Sequence, residues 1–185
     1  MRIVRAVNRS RRVLTVATVV AAAAAAVAMV AAAPAAANND PHRIYLAAAP
    51  FDLPASLCGF PVHVEPLVDK EYATVSTNPD GSTTYKVTGS LFVSLTNAGT
   101  GKTISANISG PGSFTFPADG TTLTVSSTGV GLTWAPNLTD FGAPSNIVVT
   151  AGPIQVTFDV ATGAVLSPST QVPNVLIDVC AALST

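Results

Sequence analysis

Downstream of residue 57 the chain is written in short alternating runs, each bounded by Gly, Pro, Asn or Asp. Val62 and Val64 alternate with His63 and Glu65. In a strand successive side chains face opposite ways, so the valines point inward and the polar pair outward. Residues 71–75 and 83–88 read as two further strands across Asn78-Pro79-Asp80-Gly81, a turn by composition: Pro fixes φ and Gly permits a positive one. Gly89 then interrupts the run in the manner of a bulge. Leu91, Val93 and Leu95 share one face, and Ile104, Ala106 and Ile108 share another after the turn 97–101. Two alternating runs around a five-residue, glycine-containing turn predict a hairpin. Phe114 with Phe116, Leu123 with Val125, Leu132 with Trp134, and Ile154 with Val156 and Phe158 continue the period of two. Val175, Ile177 and Val179 lead to Cys180 near the end.

No window of ten or more residues in this region carries a helical stripe, and the connections are too short for helical crossovers. The pattern predicts an all-β fold, an antiparallel meander of about eight to ten strands. Such a sheet either closes into a barrel or folds into a β-sandwich of two packed sheets. Pairing of Cys58 with Cys180 would bring the first and last strands together, which favours the barrel-like form and also fits a sandwich with neighbouring terminal strands.

The first 37 residues read differently. Arg2, Arg5, Arg9, Arg11 and Arg12 form a basic start, residues 13–30 are apolar and uncharged, and Ala35-Ala36-Ala37 offers small residues to a signal peptidase. We expect a signal peptide over 1–37, an extended arm over 38–56 punctuated by Pro41, Pro50 and Pro54, and one β domain over 57–185. An uncleaved anchor is the rival reading. Ser10-Arg11-Arg12-Val13-Leu14 fits a twin-arginine signal and equally a general secretory one. The expected location is the cell envelope or the extracellular space.

Removing the leader changes the charge. Ten acids remain against four bases, Arg43, Lys70, Lys86 and Lys102, a net charge of −6. Such a surface repels phosphate backbones, which argues against nucleic-acid binding. No apolar run after Ala37 is long enough for a membrane-spanning helix. Two cysteines in an exported chain point to a disulfide, and neither has a basic neighbour that would make it a reactive thiolate.

Cys58-Gly59-Phe60-Pro61-Val62, Leu95-Thr96-Asn97 with Gly101-Lys102, Asn107-Ile108-Ser109-Gly110-Pro111-Gly112, and Asp178-Val179-Cys180-Ala181-Ala182-Leu183 are the residues that carry a resemblance. Over about residues 57–183 the chain resembles a group of uncharacterised, secreted, β-rich proteins of high-GC actinobacteria. These motifs are cysteines, turns and hairpin residues, and the resemblance implies no activity. It points to bacteria, where the Asn107-Ile108-Ser109 and Asn137-Leu138-Thr139 sequons go unused.

Candidate chemistry is sparse. His63 and Glu65 lie two apart on one strand, enough to share a proton but too few to hold a metal. No serine sits in Gly-x-Ser-x-Gly, and no glycine-rich loop opens a helix. Asp52, Asp69, Asp80, Asp119, Asp140 and Asp159 fall mostly in turns or at strand ends, where aspartate bonds its own backbone. No cofactor or metal is implied. The loop 134–144 carries Trp134, Leu138 and Phe141, which if exposed form a contact patch for a partner, a glycan or a lipid; alternatively Trp134 and Phe141 plug one barrel end. The leading expectation is a non-enzymatic binding or structural domain with an unknown envelope or extracellular partner. One alternative is a small barrel with an apolar ligand in a cavity lined by residues such as Leu91, Phe116 and Trp134. Another is a hydrolase or isomerase using acids and His63.

Overall fold

In the computed structural model, which describes residues 43–168 and 174–184, the chain is built on one long antiparallel hairpin. The expected leader 1–37 and the first residues of the arm lie outside the described residues. A two-residue strand β1 (Ile44–Tyr45) and a three-residue strand β2 (Phe51–Leu53) precede a short helix α1 (Ala55–Cys58). The hairpin follows: β3 (Val62–Thr77) and β4 (Thr83–Asn97). Its turn is the predicted one. The Gly81 amide donates to the Asn78 carbonyl at 2.9 Å, Gly81 sits at φ 82°, and Asp80 accepts from the Ser82 amide and hydroxyl.

Four strands expected from the sequence are thus two. The residues that break the alternation bend β3 and β4 without ending them. Pro66, which cannot donate to a ladder, sits at a register shift before Val68. Gly89 sits at φ 143° opposite Glu71, where a Cβ would run into the Lys70 carbonyl and the Glu71 backbone. The bend splits the ribbon's neighbours. One half pairs with β2 and with β5 (Thr103–Asn107); the other pairs with β1 and with β6 (Gly112–Phe116). Beyond β6 come β7 (Thr122–Ser127), β10 (Ile154–Asp159) and β11 (Val165–Pro168), completing a nine-stranded antiparallel sheet.

A second sheet holds three strands in the order β12 (Val175–Asp178), β9 (Ile147–Ala151), β8 (Val130–Trp134). The chain crosses from one sheet to the other along a ribbon: β7 runs into β8, and β9 runs into β10. The ladder continues across the kink, where the Gly152 amide donates to the Gly129 carbonyl at 3.1 Å. Gly110 approaches Gly129 so closely that a Cβ at position 129 would lie 2.7 Å from the Gly110 Cα. The break 110–112, which reads in the sequence as a mere interruption, is where backbone packs on backbone.

The expected barrel is therefore corrected: the fold is all-β and antiparallel, but the sheets do not close. Among the described residues twelve strands divide nine to three because the bends at Gly129 and Gly152 carry one ribbon out of the larger sheet. Two apolar clusters hold the sheets together. In the first, Val62, Val64, Val93 and Leu95 of the hairpin meet Ile147 and Val149 of β9. In the second, Val148 of β9 meets Ile154, Val156, Val165 and Leu138. The central strand β9 is buried on both faces, which is why Ile147-Val148-Val149 is continuously apolar instead of alternating.

The disulfide is present, with Cys58 and Cys180 Cα atoms 5.1 Å apart. It joins helices, not the first and last strands. Cys58 closes α1, which Gly59 terminates at φ 83°, and Cys180 lies in α2 (Val179–Leu183). The Asp178 side chain caps α2 by accepting from the Ala181 amide at 3.1 Å. Buried Asn97 accepts from the Gly99 amide and donates to the Leu183 carbonyl, so the predicted hairpin turn also satisfies an orphan group of α2.

Candidate functional site: an apolar groove between unequal sheets

The nine-stranded sheet is divided by face. Across β4, β6, β7 and β10 one row reads Thr84, Thr115, Thr124, Thr157, with hydroxyls paired at 3.0 Å for Thr84–Thr115 and 3.1 Å for Thr124–Thr157. The alternate residues form the opposite face. Phe114 pairs with Val125, Val125 with Val156, and Leu123 with Phe158. That face is apolar, yet Phe114, Leu123, Val125 and Phe158 are only half-buried. Three strands cannot cover nine. The uncovered part is a groove of about 330 Å³, walled by these side chains, by Leu91 and Val93 of β4, and by residues 130–134 of β8.

Both faces of β8 contribute, which is possible because β8 is the edge of its sheet. Val130, Leu132 and Trp134 lie on one face and Gly131 and Thr133 on the other. The Trp134 ring is half-buried, with its centroid 5.5 Å from that of Phe51. Leu91 and Trp134 therefore sit where a ligand cavity needs them. Phe116 does not: it stacks edge-on with Tyr85 and does not line the groove.

The N-terminal arm supplies the rim. Asp69 accepts from the Tyr45 hydroxyl at 2.9 Å and from the Ala48 amide at 2.7 Å, which places Leu46, Ala48 and Ala49 along the groove. The hydrogen bond from Tyr45 to the carboxylate pushes the phenol's pKa up. Asp69 also accepts from the Glu71 amide at 3.1 Å. Glu71 itself lines the groove, opposite the side-chain-free Gly89. Burial, and then the neighbouring Asp69 charge, raise its pKa to about 7. Sequence reasoning passed over Glu71 as a strand residue. The available signal was an acid two positions from another acid in a run that also holds Val68, Tyr72 and Val75.

The other candidates fall elsewhere. His63 faces outward from β3 as expected, but it is not isolated. Its Nδ1 lies 2.7 Å from Asp52 Oδ1 and its Nε2 3.4 Å from Glu65 Oε2. The Asp52 hydrogen bond dominates in raising its pKa. Among the described residues both ring nitrogens face carboxylates, and no hydroxyl or thiol is hydrogen-bonded to His63. Among the described residues no His, Cys, Asp and Glu side chains gather in a geometry that could hold a metal ion. Trp134, Leu138 and Phe141 do not join in one exposed patch. The loop folds into a short 3₁₀ helix, Leu138–Phe141, that turns Leu138 fully into the second cluster and lays Phe141 against it. Only Trp134 reaches the groove. The turn aspartates behave as expected: Asp80, Asp119 and Asp159 each accept from a backbone amide and a hydroxyl two or three residues on, which lowers their pKa values.

No helix among the described residues is long and apolar enough to cross a membrane. Comparisons with protein families, with curated proteins and with solved structures find no match to this chain.

Proposed function

We propose that this is an exported, non-enzymatic binding protein that holds a small apolar ligand in the groove between its sheets. One observation carries the reading: the apolar face of the larger sheet is left open over about 330 Å³ instead of being filled by side chains. That is the lower end of the range of about 300–1,000 Å³ usual for small-molecule sites. It is about twice the engineered cavity of roughly 150 Å³ that takes benzene. The fit is to a ligand of roughly a dozen non-hydrogen atoms. Burying apolar surface on both partners supplies the affinity, at about 25 cal/mol per Å² before the costs of association.

Export is part of the proposal. It rests on the leader residues 1–37 and on the Cys58–Cys180 disulfide, a bond favoured in oxidising compartments.

Trp134 is the only tryptophan and lines the groove, so it reports occupancy directly. Titration with a neutral naphthylamine dye should quench Trp134 by energy transfer and saturate at one dye per chain. Gly131 also lines the groove, and a Cβ there meets no atom within 4 Å. Gly131→Phe should occupy that space and weaken dye binding by at least tenfold without altering the far-ultraviolet circular dichroism. Dye binding unaffected by this substitution, or no saturable binding at all, refutes the proposal.

A further inference from the structure

The groove is apolar along its length but carries two half-buried acids, Glu71 and Asp159. Asp159 already accepts from the Thr162 amide and hydroxyl, whereas Glu71 has no counterpart. No Lys, Arg or His lines it. The Glu71 carboxyl has no hydrogen-bond partner among the described residues, and neither of its oxygens is sealed from the groove. Its neighbours offer no neutralising charge. On its own strand Asp69 is negative and already accepts from Tyr45, Ala48 and the Glu71 amide. From the arm the nearest titratable group is Tyr45, whose hydroxyl is committed to Asp69. Across on β4 lie Gly89, which has no side chain, and Val87 and Leu91, which are apolar. The nearby cation Arg43 donates to Thr88 and stacks over Tyr72 at 4.9 Å, and exposed Lys70 alternates onto the opposite face of β3.

We propose that the ligand is a single-chain amphiphile with a cationic amine head, its alkyl chain along the groove and its ammonium group on Glu71. This rests on the reading of the groove as a ligand site and goes on to name the class of ligand. Charge complementarity selects the head: an acid beside a second acid, with no base in reach, favours an ammonium over a hydroxyl and disfavours a carboxylate. The volume selects one short chain over a larger lipid. Protonation then competes with the ligand. Burial and Asp69 hold the Glu71 pKa at about 7, so the amine gains its partner as pH rises through that value. A fully uncompensated shift would reward the ammonium by over a hundredfold, and solvent at the half-open rim reduces this to about tenfold.

The test uses decylamine, decan-1-ol and decanoate, titrated into the purified protein at pH 8 and pH 5.5 in 0.15 M salt, with Trp134 emission as readout. At pH 8 decylamine should bind about tenfold more tightly than decan-1-ol, and decanoate most weakly. At pH 5.5 the amine's advantage should largely disappear. Glu71→Gln should abolish the advantage at pH 8, with an unchanged far-ultraviolet circular dichroism spectrum showing that the variant is folded. Asp140→Asn, an equal charge change at an exposed position outside the groove, should leave the advantage intact. Equal affinity for amine and alcohol at pH 8, or an amine advantage that survives Glu71→Gln, overturns the head-group assignment and leaves the groove standing. Failure of all three probes to bind overturns both.

Discussion

Glu71 gives the sharpest test of the physical picture, and the test needs no ligand. Its pKa is raised from 4.5 to about 7 in the folded chain, first by burial and then by Asp69. The folded state therefore holds the Glu71 proton more tightly than the unfolded state. Below pH 4.5 both states are protonated and the group costs nothing. Between 4.5 and about 7 the unfolded chain releases its proton first, so stability falls as pH rises, and above about 7 the full cost is present. Two and a half pKa units correspond to about 3.4 kcal/mol without screening. The carboxyl faces an open groove, so solvent reduces the expected cost to about 1–2 kcal/mol. Replacing Glu71 with Gln removes the charge and keeps the shape. Urea denaturation of both proteins from pH 5 to pH 9, followed by Trp134 emission, should show Glu71→Gln nearly equal to the native chain at pH 5. It should be more stable by about 1–2 kcal/mol at pH 8. The lowered pKa values of Asp80, Asp119 and Asp159 act with the opposite sign and only at more acid pH, and they cancel in the difference. A difference that is constant across the range, or largest at pH 5, refutes the assignment of Glu71 to a half-buried, unpaired site.

Three further outcomes follow from single contacts. Replacing both Cys58 and Cys180 with alanine opens a loop of 122 positions and should cost roughly 2–5 kcal/mol of unfolding free energy. Reductant should destabilise the native chain by a similar amount and leave the double variant unchanged; equal response of both disproves the staple. Gly89→Ala forces a residue with a Cβ into φ 143° and against the Lys70 carbonyl, so thermal melting should show a loss of at least about 1–3 kcal/mol; an unchanged melt contradicts the bend at Gly89. Asp52→Asn removes the main cause of the raised His63 pKa, so the His63 titration followed by NMR should move down toward 6.5; a midpoint that stays put excludes the Asp52 hydrogen bond.

Where one residue's neighbours in the chain decide its environment, the sequence was readable. Val62 and Val64 against His63 and Glu65 is a local alternation, and the structure buries the first pair and exposes the second. The turns at 78–81 and 97–101 carry their own chemistry in Asn, Asp and Gly, and both form. The two helices did not register because four and five residues are too few for a helical period to show. The burial of Leu138 went unsignalled for a related reason: a 3₁₀ turn of four residues can tuck one side chain inward with no pattern to announce it.

The groove depends on something of a different kind. Each strand that lines it was visible as a strand, and the apolar faces of Phe114, Val125 and Val156 were visible as faces. What no alternation encodes is how many strands join each sheet, because that is set by pairings between distant segments and by kinks at Gly129 and Gly152. Nine strands against three leaves an apolar face wider than its cover. A chain selected only for stability would close that gap with larger side chains or another strand, since exposed apolar surface of this extent is costly in water. Here the strands facing the gap keep their apolar side chains, place the only tryptophan at the edge strand, and bring an unpaired acid to the rim. Those three features have separate structural causes, and the proposed ligand, with an apolar chain and a positive head, satisfies all of them.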